Sequence, residues 1–227
     1  MANILIMVLS SYQSPYGELM DAQNKTWNSL KVEGVETLFY SGGHPHDKVD
    51  FCGEPQSGMV TMDMQFSIRD DYYFMAGKFK CALERAGTHL YDYIFRTNSS
   101  SYVNKQRLKE FAENLPKEKL YAGWSFPDIN DDGGLCVSGA GMFLSRDTAE
   151  ILRDEIDPQF EMEEDVYCGR LLRKNGIRAI NEKSRIDVPI VIPTNIPTDR
   201  YHYRFKTTSN RIADIGNMKS IHKIIHP

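Results

Sequence analysis

The sequence predicts an α/β protein with a mixed, mainly parallel central sheet flanked by helices. Three observations carry this. Asn3–Leu9 is a short continuous apolar run, as expected of a central strand covered on both faces, and a helix pattern and a second strand follow it. Asp70 to Ala86 repeats apolar residues at helical spacing before a stop at Gly87. Tyr91–Asn104 joins a buried-strand pattern to a run of small polar residues, and open α/β sheets hold their ligands at the carboxyl ends of such strands.

The elements follow in order. Ser14-Pro15 is a helix-start signal, with Ser as N-cap and Pro as the first helical residue, and the helix is expected to reach about Leu30. Gly34–Tyr40 reads as the second strand. Ser41–Met59 reads as a loop, with His44 and His46 as an isolated pair that nothing nearby completes into a metal site. Val60–Phe66 reads as a short edge strand. The next helix, capped by Asp70, turns Tyr72, Met75, Ala76, Phe79, Ala82, Leu83 and Ala86 to one face. Lys105–Leu115 reads as a helix and Leu120–Trp124 as a strand. Ser125–Gly134 is a polar loop containing Asp128, Asp131 and Asp132. Leu135–Leu144 is apolar but interrupted by Ser138-Gly139-Ala140-Gly141. Helices are expected from Asp147 to Ile156 and over Glu161–Asn175. One or two strands lie in Ile177–Ile192, Tyr201–Lys206 alternates aromatic and basic residues, and an amphipathic helix closes the chain.

Bulk properties bound the function. The 227 residues suffice for one large α/β domain with a proper core, and no linker divides them. A net charge of −4 and a pI of about 5.9 argue against a general nucleic-acid binder. Ile4–Leu9 is too short for a membrane span and lacks a basic leader, so a first strand, a cytoplasmic location or the soluble part of something longer is expected. Cys52, Cys81, Cys136 and Cys168 have no metal-knuckle or redox-motif spacing. Buried reduced thiols are expected, although spacing alone leaves two disulfides open.

Two stretches carry chemistry. Glycines inside the apolar run 138–141 mark a place where a ligand or another backbone approaches closely. Glu161, Glu163, Glu164 and Asp165 open a helix, where acids complement the dipole; one of them beside a glycine-lined surface also suits a general base. Trp124, ending a strand before a polar loop, suits stacking on a ligand ring, whereas Trp27 suits the core.

In combination these stretches resemble the beta-1,3-galactosyltransferase and Fringe-like inverting glycosyltransferases, which have the GT-A fold. Gln23-Asn-Lys-Thr-Trp27 resembles the family's Arg/x-Thr-Trp helix end. Tyr72–Phe79, with Lys78, resembles its Tyr-x-Asn-Leu-Thr-x-Lys-Thr helix, with Phe74 where Asn is usual. Tyr93-Ile-Phe-Arg-Thr-Asn-Ser-Ser-Ser-Tyr-Val-Asn104 resembles Lys-Thr-Asp-Asp-Asp-Val-Phe-Val-Asn. Cys136-Val-Ser-Gly-Ala-Gly-Met-Phe-Leu-Ser-Arg-Asp147 resembles Cys-Ser-Gly-x-Gly-Tyr-Val-Leu-Ser-x-Asp. Glu164-Asp-Val-Tyr-Cys-Gly-Arg170 resembles Glu-Asp-Val-Tyr-x-Gly, and His202 has a loose counterpart.

The resemblance implies one GT-A-like domain over 1–227, with a donor half over about 1–104 and an acceptor and catalytic half over about 105–227. It implies a nucleotide-sugar donor, a glycan or glycoconjugate acceptor, and Asp165 (or Glu164) as the base. It places Ser10, Ser11 and Tyr12 at the nucleotide, and Ser138, Gly139, Ala140 and Gly141 beneath sugar and acceptor. The departure is central: the family's metal-holding Asp-x-Asp is replaced by Asn98, Ser99, Ser100 and Ser101. Hydroxyls are poor ligands without carboxylates, so Mn²⁺ or Mg²⁺ is not favoured and no residue is assigned to metal. Lys78, Arg96, Arg200, His202, Arg204 and Lys206 are the candidate replacements for the cation's charge. The alternatives are a metal still held through His202, Asp128, Asp131 or Asp132, and an inactive binding module of the same fold.

Overall fold

The computed structural model describes residues 2–11, 13–43, 63–70, 72–130, 133–205 and 211–227. Tyr12, His44, His46, Asp131, Asp132 and Lys206 lie outside the described residues. The strand expected over Asn3–Leu9 is β1 (Ile4–Leu9), buried along its whole length. It pairs in parallel with β2 (Val35–Gly43) and β4 (Tyr93–Asn98), and β2 pairs in parallel with the edge strand β3 (Asp63–Arg69). On the far side of β4, β7 (Leu135–Ser145) runs antiparallel to both β4 and β6 (Tyr121–Pro127), and β8 (Ile180–Asn181) closes the edge. The sheet order is β3-β2-β1-β4-β7-β6-β8.

The two-residue side-chain period of each strand divides the core between the faces of this sheet. Ile4, Ile6, Val8, Tyr93, Phe95 and Phe143 face one layer. It is filled by Trp27, by Leu108 of α3 (Lys105–Ala112) and by Met218 and Ile221 of α6 (Ile212–Ile225). Leu5, Met7, Ile94 and Leu144 face the other. That layer receives Phe79 and Leu83 of α2 (Met75–Arg85), Leu152 of α4 (Arg146–Glu155) and Leu172 of α5 (Glu164–Lys174). A three-stranded sheet, β5 (Ser101–Val103), β10 (His202–Phe205) and β9 (Arg185–Val188), packs beside the first layer.

Several local expectations are corrected. The first helix, α1, spans Tyr16–Lys25, with Pro15 at its N-cap, and a 3-10 turn over Trp27–Ser29 replaces its last turn. The loop expected from Ser41 starts later, because Ser41 to Gly43 extend β2. Ser138–Gly141 does not interrupt its strand: β7 is continuous through it, and Gly139 and Gly141 stand where close neighbours crowd a side chain. A Cβ on Gly141 would lie 2.6 Å from the His202 ring. Asp70 does not cap α2, which begins five residues later. The aromatic-basic alternation of Tyr201–Lys206 falls on β10, the central strand of the small sheet, with β5 and β9 on either side. Cys136 and Cys168 are buried free thiols, whereas Cys81 is disulfide-bonded, a pairing that sequence spacing does not reveal.

Candidate active site

The carboxyl ends of β1 and β4 open into a cleft of about 700 Å³. Ser10 and Ser11 follow β1, and Asn98, Ser99 and Ser100 end β4; all five line the cleft. The opposite wall comes from the second half of the chain: Trp124 and Phe126 of β6, Ser138, Gly139 and Ala140 of β7, Asp165 of α5, Arg204 of β10, and Arg211.

The floor is built around the peptide of Gly139. Its N–H donates to Asp165 Oδ2 at 3.0 Å, and its carbonyl accepts a hydrogen bond from Arg96 Nη1. Arg96 also forms an ion pair with Glu164, whose side chain is fully buried. One guanidinium therefore ties β4, β7 and α5 together directly beneath Asp165. Only glycine fits, because a Cβ at position 139 would sit 2.8 Å from Arg96 Nη1 and 3.1 Å from Asp165 Oδ1. Burial pushes the Glu164 carboxyl up to about 7, with Arg96 opposing. The Glu164 charge in turn holds the Arg96 guanidinium ionised against its own burial.

The two adjacent acids thus have different places. Asp165 faces the cleft, and Glu164 points away from it into the interior, so the geometry separates two residues that sequence had left interchangeable. Gly141 and Ser101 also turn away. Gly141 packs on His202, and the Ser101 hydroxyl shares a hydrogen bond with His202 Nε2 at 3.1 Å.

Lys78 and Asp70 form a second buried pair at 2.8 Å, and Ser11 donates to the same carboxylate. Asp70 and Tyr72 both line the cleft, which their expected places as helix cap and buried helix face had hidden. Tyr72 is exposed and its hydroxyl faces Glu163 near Asp165. Burial and these acids push it up to about 12. Arg211 was missed as well, having only a position beyond the last strand to mark it.

The serine run is a closed turn. Asn98 Oδ1 accepts from the Ser100 amide at 3.2 Å and hydroxyl at 3.1 Å, and from the Ser101 hydroxyl at 3.3 Å. Gln23 and Trp27 hold the Ser101 carbonyl from below. An amide oxygen engaged in its own turn, with hydroxyls and no carboxylate, does not suit a divalent cation. Of the alternative ligands, the described ones, Asp128 and His202, do not converge either. Asp128 is held by Arg170 and Arg173, well below the usual carboxylate range, and His202 is buried and held neutral. Among the described residues no group of three His, Cys, Asp or Glu side chains is placed to hold a metal. Arg200 pairs with its exposed neighbour Asp199 and does not line the cleft.

No protein-family model matches the chain, and no curated protein matches it. Among solved structures it is similar to the crystal structure of a glycosyltransferase involved in the glycosylation of the major capsid of PBCV-1. The TM-score is 0.60 at 12% identity, over 96% of this chain and 99% of that one. The chain has a GT-A-like glycosyltransferase fold. A197 from STIV superposes with a TM-score of 0.38 at 14% identity, over 78% of this chain and 80% of that one, and carries no argument. In the GT-A-like fold the cleft at the ends of β1 and β4 occupies the ligand-binding end of the sheet. The resemblance to the beta-1,3-galactosyltransferase and Fringe-like family is one of sequence motifs alone. No described helix is long and apolar enough to cross a membrane.

Proposed function

We propose that the protein is an inverting glycosyltransferase that moves a sugar from a nucleotide-sugar donor to an acceptor hydroxyl without a divalent cation. The observation that carries this is Asp165: a cleft-facing carboxylate fixed by the Gly139 amide at 3.0 Å, with Arg204 lining the same cleft. In the reaction the acceptor oxygen attacks the anomeric carbon and its proton passes to Asp165. The bond from that carbon to the phosphate oxygen breaks, and its electron pair leaves with the nucleoside diphosphate. A single displacement needs one base and no nucleophile. Asp70, the other carboxylate at the cleft, is engaged by Lys78 and Ser11, and Glu164 by Arg96. This asymmetry favours inversion over the paired carboxylates of a double displacement.

We assign the nucleoside end of the donor to the side of Ser10, Ser11 and Asn98 to Ser100, its diphosphate to Arg204 across the cleft, and the acceptor to the side of Trp124 and Ser138 to Ala140. Lys78 and Arg96 are neutralised by their partners, so the leaving diphosphate needs a freer cation. Arg204 meets that need: among the described residues it has no carboxylate partner, and its buried Nε has no hydrogen-bond partner. Arg204→Ala is expected to weaken binding of a nucleoside diphosphate about tenfold or more, the loss of a charge-assisted hydrogen bond. Calorimetric titration checks this, and an unchanged affinity returns Arg204 to a structural role.

The deciding experiment is a thermal-shift screen of nucleotide sugars followed by hydrolysis and transfer assays, each with excess EDTA and with Mn²⁺. A bound donor raises the melting temperature by mass action. Turnover that persists in EDTA is the expected result. Loss on chelation, restored by Mn²⁺, overturns metal independence, and donor binding without turnover favours the inactive module.

A further inference from the structure

We infer that Arg185 is the second cation of the diphosphate site, acting from behind Trp124 and beside Arg204; this rests on the glycosyltransferase reading for the identity of the anion. The argument begins with strand register. Strands β9 and β10 pair in parallel with Arg185 opposite His202 and Asp187 opposite Arg204. These four residues share one face of the small sheet, while Val188, Tyr203 and Phe205 of the other face enter the core. The polar face is the one that meets the cleft, since Arg204 lines it.

Arg185 is nearly enclosed there, with its side chain 7% exposed. Its guanidinium lies 4.8 Å from the centre of the Trp124 ring. The ring itself lines the cleft and is 45% exposed, so Trp124 is a wall with a cation directly behind it. Asp187, itself 65% exposed, holds the Nε and Nη2 side of Arg185. Nε, whose contact with Asp187 is an ion pair only, and Nη1 are both buried without a hydrogen-bond partner, as is Nε of Arg204.

Two guanidiniums within reach of one another repel. Burial, and then the charge of Arg185, lower Arg204 to about 10, and Arg185 and Arg204 both disfavour a proton on His202. Arg211 adds a third positive charge at this end, and Asp187 and Asp214 are the carboxylates paired with Arg185 and Arg211. Asp187 and Asp165 offset part of this charge at Arg204, but three buried guanidinium donors remain without a hydrogen-bond partner among the described residues. A polyanion at Arg204 relieves the repulsion and gives the Arg204 Nε an acceptor, while Arg185, which is not among the residues lining the cleft, acts on it through its charge. A diphosphate fits this chemistry better than a single carboxylate, since two guanidiniums share its charge.

The test is a fluorescence titration with inorganic pyrophosphate in EDTA. Trp124 lines the cleft, whereas Trp27 is buried in the core and does not, so binding is expected to change the Trp124 emission and Trp124→Phe to remove the signal. Arg185→Gln is expected to weaken pyrophosphate about tenfold or more, while Arg185→Lys, which keeps the charge, retains most of the affinity. Exposed Asp187→Asn frees Arg185 without opening the core and is expected to tighten binding, which covers the case in which Arg185→Gln fails to fold. The inference is overturned if wild type does not bind pyrophosphate in EDTA, or if both Arg185→Gln and Asp187→Asn bind it as wild type does. If pyrophosphate binds with this dependence but no nucleotide sugar is turned over, the anion site stands and the transferase reading falls.

Discussion

Replacing Asp165 by Asn is expected to lower transfer by roughly 10²–10⁴-fold, the usual contribution of a positioned general base. The substitution is conservative in structure. The side-chain oxygen of Asn still accepts the Gly139 N–H, so the 3.0 Å contact and the strand-to-helix packing survive. What is lost is the capacity to take a proton from the acceptor hydroxyl. Donor affinity is therefore expected to stay near wild type while kcat falls, and a melting curve should show little change. Steady-state kinetics beside donor titration check this. Unchanged turnover removes Asp165 as the base, and a fall in donor affinity alone assigns it to binding.

The second large effect concerns what lies beneath that base. Arg96→Met is expected to destabilise the protein by roughly 3–5 kcal/mol when measured near pH 8, because it leaves the Glu164 carboxylate buried without its partner. For a chain of this size that is a fall of about 10 °C in melting temperature. Glu164→Gln leaves the Arg96 charge buried without its carboxylate, but keeps a side-chain acceptor beside the guanidinium, which also retains the Gly139 carbonyl. The two are distinguished by pH. Burial raises the folded-state carboxyl of Glu164 from its ordinary 4.5 to about 7, so between these values the folded protein holds a proton that the unfolded chain releases. Stability from this group is complete below about pH 4.5 and is lost as pH rises through 7. Glu164→Gln is expected to flatten that slope, and chemical denaturation across pH 5 to 8 measures it. An unaltered slope means that Glu164 does not titrate there.

These two residues show where sequence reading stops. Glu164 and Asp165 are neighbours in one motif, and pattern alone gave either as the base. On the first turn of α5 neighbouring side chains diverge, so one meets the cleft and the other meets Arg96 inside the protein. The glycine run was read as a place of close approach, and it is one. The approaching groups, however, are Arg96, Asp165 and His202, from three separate elements.

By itself the sequence determined the order of elements and the end of the sheet that carries polar groups. Continuous apolar runs specify strands covered on both faces, helical spacing specifies the layers that cover them, and both signals are local. It also determined that the turn after β4 carries no carboxylate, since that is a matter of residue identity. Only the tertiary structure decided which cations are matched by an acid and which are crowded together. Lys78 and Arg96 find their acids at Asp70 and Glu164, 8 and 68 residues away, whereas Arg185 and Arg204 come together through a parallel pairing of distant strands. Charge compensation depends on distance in space, and spacing along the chain does not encode it. The answer to the missing acids therefore lies across the cleft, on the polar face of the small sheet.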